Sequence, residues 1–478
     1  MSRLLAALLS VLLLAACGSL PRDPFTANEL AGEAPKGLND IRFNASDAEA
    51  GIRFAEAART RRVNQKTFDV LAISGGGSNG AYGAGVLVGW TTTGQRPEFD
   101  IVTGVSTGAL TAPFAFLGPD WDRRLTEAYT SKAADKILEK RGIDLLFRPG
   151  FYDTKKLRAL VEKYVDAPML YAIAMEHGKG RRLLIATTNL DTEETVIWDM
   201  GAIAARGDEA SRKLFQDVLV ASASIPGVFP PTLIEVEGSG RRLSEMHVDG
   251  GVTIPFFVAP ESLLLWTAPK GGEARPGRIT VLVNGKIGGA FGFTKGGTLS
   301  VVGRSWLTMS KALMRTHLTA SAAFARRNGG SLVYAAIPDD TAVDTSGLDF
   351  SADTRRTLFD LGKRRAEMEI VWTEPAIPEA PQKEPSRLEA EPERDTGPVG
   401  VGADQRDHGH ALVGEVGGAE AGVARAARAG IDHGVHGLAV GGLIHRDQIV
   451  GVGGQARNDA RADGVLEELL DAAGAAEG

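Results

Sequence analysis

Ser106 lies in Gly104-Val105-Ser106-Thr107-Gly108, behind the β-branched stretch Phe99-Asp100-Ile101-Val102-Thr103 and ahead of a small apolar segment opening at Ala109 and Leu110. Strand, one-serine turn and helix are what a nucleophile elbow requires. So tight a turn brings neighbouring backbone close and leaves room only for glycine on either side of the serine. The hydroxyl would stand at the sheet edge beside the positive end of the next helix, placed to attack an acyl carbon. A second group sits in Glu245-Met246-His247-Val248-Asp249-Gly250-Gly251. Gly250 and Gly251 turn the chain as soon as a strand has delivered Asp249, so its carboxylate can take the proton of an attacking serine. An isolated Asp-Gly-Gly is also an ordinary turn.

The third stretch is Ser74-Gly75-Gly76-Gly77-Ser78-Asn79-Gly80. Consecutive glycines ending a strand and opening a helix let several N–H groups converge on an anion. The string also satisfies the dinucleotide fingerprint G-x-G-x-x-G, which asks for an acidic residue ending the next strand. Here that strand ends at Thr103 and runs into the serine turn, with Asp100 near its start. An oxyanion hole beside Ser106 fits better, because consecutive parallel strands bring both loops to one carboxyl edge.

The elements that must position these residues follow from hydrophobic pattern. Apolar runs at 68–73, 99–103, 183–187 and 279–283 read as buried strands, with further strands at 195–198 and 331–337. Helical spacing marks 81–90, 153–165, 299–327 and 353–370. Leu157, Leu160, Val161 and Tyr164 form one stripe, read as structural; Val302, Trp306, Met309 and Leu313 form another, read as core. Asp191, in Asn189-Leu190-Asp191-Thr192, reads as a turn residue. The serines of Ala221-Ser222-Ala223-Ser224, ahead of Pro226, have no elbow and read as capping or packing residues. A Ser-His-Asp triad is the rival mechanism. His247 would share a face with Asp249, yet it precedes the acid, and His317 sits mid-helix; His247 reads as a supporting residue.

Taken together, the three stretches resemble the patatin-like phospholipases. Gly75-Gly76-Gly77 with Gly80 is similar to that family's oxyanion motif, Gly104-x-Ser106-x-Gly108 to its nucleophile motif, and Asp249-Gly250-Gly251 to its dyad-aspartate motif. The order agrees over about 68–252, and the similarity is expected to extend to 372. The resemblance implies an α/β fold of three α/β/α layers around a central, mostly parallel sheet. It also implies hydrolysis of fatty acyl esters of phospholipids or other lipids by a Ser–Asp dyad, with no cofactor and no metal. Asn79 departs from the pattern, the family commonly holding a basic residue there. The alternative from another class is a non-catalytic envelope lipoprotein that binds lipid or a partner on a retained hydrolase fold.

The chain has 478 residues, net charge −7 and one cysteine, Cys17. Its ordinary composition suggests no nucleic-acid partner, and one thiol allows neither an internal disulfide nor a cysteine-rich metal site. Residues 1–16 read as a signal peptide with a short apolar run. The ending Leu14-Ala15-Ala16-Cys17-Gly18 resembles a bacterial lipobox. Lipidated Cys17 would tie the chain to a membrane, with the outer membrane expected because aspartate does not follow the cysteine. Residues 17–64 read as the lipidated N-terminus and tether, and 65–372 as the catalytic domain. The tail, 373–478, begins with a proline- and glutamate-rich linker and has no aromatic residue. It reads as low-complexity and disordered, or as a shifted reading frame.

Overall fold

The computed structural model describes residues 20–30, 34–35, 41–59, 67–132, 135, 137, 152–264, 276–343 and 346–375. All of them belong to the first of two units, 1–386. The signal, Cys17 and the tail beyond 375 lie outside the described residues.

Five strands make a parallel centre: β2 (Phe68–Ile73), β3 (Ile101–Val105), β4 (Arg182–Asn189), β8 (Gly277–Val283) and β9 (Ser331–Ala336), ordered β4-β3-β2-β8-β9. Antiparallel to β4 runs β5 (Glu194–Asp199), followed outward by β1 (Arg42–Asn44). The hairpin of β6 (Thr232–Gly238) and β7 (Arg241–Asp249) joins the end of β4, where Thr187 pairs with Asp249. Inner strands buried on both faces need apolar side chains at every position. Leu71, Ile73, Val102, Leu183 and Ile185 supply one core, whereas Val70, Ala72, Ile101, Leu184 and Ala186 supply the other.

Helices cover both faces. On the first lie α2 (Gly80–Thr92), α3 (Thr107–Leu117), α4 (Asp122–Thr130), α5 (Lys155–Tyr164), α6 (Ala167–Gly178), α7 (Met200–Ala205), α8 (Glu209–Ser222) and α10 (Ala352–Glu367). On the second, α9 (Thr298–Arg327) packs through Leu318, Ala322 and Ala325 beside Ile254–Val258. The short α1 (Ala48–Arg59) sits against Glu261–Leu263. This is the expected three-layer, mostly parallel α/β/α arrangement.

Three features differ from the sequence reading. Within the stretch expected to be a tether, Arg42–Asn44 is an edge strand, and Arg42 forms an ion pair with Glu245 of β7. Farther upstream, Arg22 donates twice to Asp191, each at 2.6 Å, and Asp191 also accepts from Met246 N–H. The third difference is the stripe on α9. Val302, Trp306 and Met309 are exposed rather than core. The helix outlasts its support: thirty residues at ~1.5 Å each give ~45 Å, against ~23 Å for the seven-residue β8.

Candidate active site

Ser106 ends β3 and caps α3 with φ 57° and ψ −126°, a conformation that is costly for a non-glycine residue and presents its side chain at the carboxyl edge. The neighbours permit it by being small. A Cβ on Gly104 would lie 2.6 Å from Gly108 O, and one on Gly108 would lie 2.2 Å from Ile73 O. The backbone is pinned as well: Ser106 N–H donates to Ser222 Oγ at 3.0 Å, and that hydroxyl donates to Ala186 O at 2.7 Å. Ser222 therefore holds the elbow, a more specific task than the packing expected of it.

Ser106 Oγ donates to Asp249 Oδ2 at 2.6 Å, so the structure joins two residues 143 positions apart. Asp249 ends β7, its N–H donating to Ser224 O, while Gly251 N–H donates to its Oδ1 at 2.7 Å. Gly250 passes so near β4 that a Cβ would sit 2.5 Å from Ala186 O. Burial pushes the Asp249 carboxyl up to about 7, against the hydrogen bonds from Ser106 and Gly251. Among the described residues no cation offsets that burial, so the carboxylate is poised as a base near neutrality.

His247 points elsewhere. Its Nδ1 is 3.0 Å from Thr187 Oγ1 and its Nε2 is 3.2 Å from Glu245 Oε2, so both ring nitrogens are engaged. Trp198 Nε1 donates to the same Thr187 oxygen, which leaves the hydroxyl proton for His247 Nδ1 and places the ring proton on Nε2. Burial holds the imidazole below its ordinary pKa, keeping it neutral. Burial alone would raise Glu245, but the bonds from His247 and Arg42 hold it down at about 2. This is a buried clamp between β7, β4 and β1.

The glycine loop lies against the elbow, a Cβ on Gly75 falling 3.1 Å from Ser106 Cβ. Gly75 N–H donates to Pro255 O, Ser78 N–H to Gly347 O and Asn79 N–H to Gly76 O. Among the described residues, Gly76 and Gly77 N–H donate to no protein acceptor, which leaves these two for an anion. Gly76 (φ 156°) and Gly77 (φ 57°) form the loop's bend. Asn284, just past β8, fixes it: its N–H donates to Ser74 Oγ, its Nδ2 to Ser74 O, and its Oδ1 accepts from Gly83 N–H. Gly80 allows α2 to abut Thr107. Nothing local in the sequence marks Asn284, because its partners lie about two hundred residues away.

Beside Thr107 and Gly77 opens an apolar cleft. Leu110 and Phe114 of α3, Leu157 and Val161 of α5, Leu219 of α8 and Phe350 line it. The α5 stripe read as structural thus walls the cleft. The cleft also carries two polar groups that the sequence did not single out: the buried Ser78 Oγ, which has no hydrogen-bond partner among the described residues, and Arg355, which donates to Tyr129 O and Ser131 O.

Residues 71–260 match the patatin-like phospholipase family model. Among solved structures, the chain is similar to VipD from Legionella pneumophila, with 13% identity over 62% of this chain and 67% of that one at a TM-score of 0.30. It is also similar to human GIVD cytosolic phospholipase A2, with 10% identity over 74% and 66% at a TM-score of 0.28. No curated protein matches it. Residues 71–260 are thus a patatin-like phospholipase domain, a domain of the lipid acyl hydrolase class.

Proposed function

We propose that this enzyme cleaves fatty acyl esters of phospholipids or related lipids through a Ser106–Asp249 dyad. The 2.6 Å bond between Ser106 Oγ and Asp249 Oδ2 carries the reading. Ser106 Oγ bonds to the acyl carbon as its proton passes to Asp249, and the carbonyl oxygen becomes an oxyanion facing Gly76 and Gly77 N–H. On collapse the ester C–O bond breaks, and the departing alkoxide takes the proton from Asp249. Water then attacks the acyl-enzyme with Asp249 again as base, releasing the fatty acid and returning a proton to Ser106. The apolar cleft beside Thr107 supports an acyl chain as the group held. In a purified preparation, fatty acid should be released from phospholipid, and Ser106→Ala should abolish that release. Protein that binds lipid but never releases fatty acid would favour the non-catalytic alternative.

Cys17 is further proposed to carry the lipid anchor that places the enzyme on a membrane, with the outer membrane as destination. Labelled fatty acid should enter the wild-type protein and not Cys17→Ser; equal labelling of both would refute it.

A further inference from the structure

Among the described residues, the overhanging half of α9 and the loop before it hold the densest run of exposed large apolar side chains. Phe291 and Phe293 are 101% and 90% exposed, and Val302, Trp306, Leu307 and Met309 are exposed beside them in sequence. Side chains this large, left in water together, mark an interaction site. Between Asn284 and Asn328 the chain has seven basic residues and no acidic one, although its net charge is −7. Lys286 donates to Thr341 O, Arg304 to Ala290 O, Lys311 to Gly288 O and Arg315 to Ile287 O. These acceptors are neutral carbonyls. The last three tie the loop to the helix, and none of the four cancels the positive charge, which Asp339, bonded to Gly288 N–H, offsets only in part. Burial holds Lys311 below its ordinary pKa, and Arg304, Lys286 and Arg315 lower it further against Asp339.

The surface is also at the right edge. The 285–297 loop leaves β8 at Asn284, the residue that fixes the glycine loop, and α9 begins at that same carboxyl edge. We infer that loop 285–297 and the first half of α9 dock the enzyme onto bilayers containing anionic phospholipid, turning the Ser106 edge toward the membrane. Aromatic and aliphatic side chains enter the headgroup–acyl boundary, where tryptophan is favoured, and the cations face lipid phosphates. The consequence for catalysis rests on the lipid hydrolase reading; the docking itself does not.

The test uses the full chain with Cys17→Ser, so that no acyl anchor contributes. It should sediment with vesicles of phosphatidylglycerol and phosphatidylcholine in equal parts, and much less with phosphatidylcholine alone. Phe291→Ser, Phe293→Ser and Trp306→Ser together should weaken that partitioning about tenfold or more. Lys295→Glu, which disturbs no packing, should weaken it about fivefold or more. Hydrolysis of a soluble short-chain ester should be unchanged in both variants. Vesicle binding that survives both changes overturns the inference. So does a triple variant that turns a dimer into a monomer while still binding vesicles, since the face would then belong to a second copy. No ester hydrolysis by the Cys17→Ser parent, with its vesicle binding retained, would sink the catalytic reading and leave docking intact.

Discussion

Asp249 carries two predictions because its chemistry and its cost share one cause. A base must be ionised, and burial sets its pKa at about 7. The kcat/KM of a soluble ester should therefore rise with pH through a limb near 7, and Asp249→Asn should lower turnover on the order of 10²–10⁴-fold. The folded pKa lies above the ordinary 3.8, so the folded state favours the protonated form. Stability from this group is present below about pH 4 and is lost as pH rises through about 7. Asp249→Asn should hence melt higher than wild type at pH 8, by up to about 4 kcal/mol, and hardly differ at pH 4. Equal melting at both would contradict the burial argument. For His247 the clamp geometry predicts the opposite pattern. His247→Ala takes one of two partners from the buried Glu245, leaving Arg42, and should cost about 1–3 kcal/mol of stability. Its turnover should fall by no more than about tenfold, and a folded His247→Ala enzyme as inactive as Ser106→Ala would refute the dyad.

Elements differ in how plainly the sequence announces them. The buried parallel strands were legible as apolar runs, and the three functional loops were legible because each needs glycine where backbone meets backbone. The β6–β7 hairpin was only half visible: Arg241–Asp249 is a nine-residue strand whose partner, β6, alternates buried and exposed residues beside a single sheet edge. Helix α6 escaped notice, its apolar residues too dense for one clear stripe. Periodicity also names a face without naming its cover. The α5 stripe proved to wall a cleft and the α9 stripe to meet solvent, and neither outcome is written in the spacing. Small residues tell more where helices touch. Gly85 and Gly89 of α2 meet α10, a Cβ on Gly85 lying 2.0 Å from Phe359 O, and Gly362 returns the contact against Tyr82 O. Gly85→Leu should separate the pair and lower stability by about 3 kcal/mol or more, read as a shifted urea midpoint. An unshifted midpoint would show that the pair tolerates separation.

On the scale of the whole chain, the question is where the folded unit stops. Trp372 packs against Trp90 with ring centroids 4.5 Å apart and planes tilted by 59°, and Thr373 exchanges two 2.8 Å backbone bonds with Tyr334. A boundary at 372 therefore falls one residue inside the ordered contacts. Truncation after Pro375 should leave the melting transition and ester hydrolysis unchanged, whereas truncation after Val371 should lower the melting temperature measurably. Loss of cooperative melting in the longer form would make the tail structural. The N-terminal side extends further than composition suggested, since Arg22 reaches Asp191 in the β4–β5 turn and Arg42 reaches Glu245 of β7 through ion pairs that no local pattern reveals.

The claim on which all of this depends is that Ser106 is the nucleophile and Asp249 its base. A fluorophosphonate traps such a serine covalently, and intact-mass analysis with peptide mapping locates the adduct. One adduct is expected, on Ser106, with none in Ser106→Ala, and labelling slowed on the order of 100-fold or more in Asp249→Asn but not in a folded His247→Ala protein. An adduct on another residue, or Asp249→Asn labelling as fast as wild type, would contradict that claim.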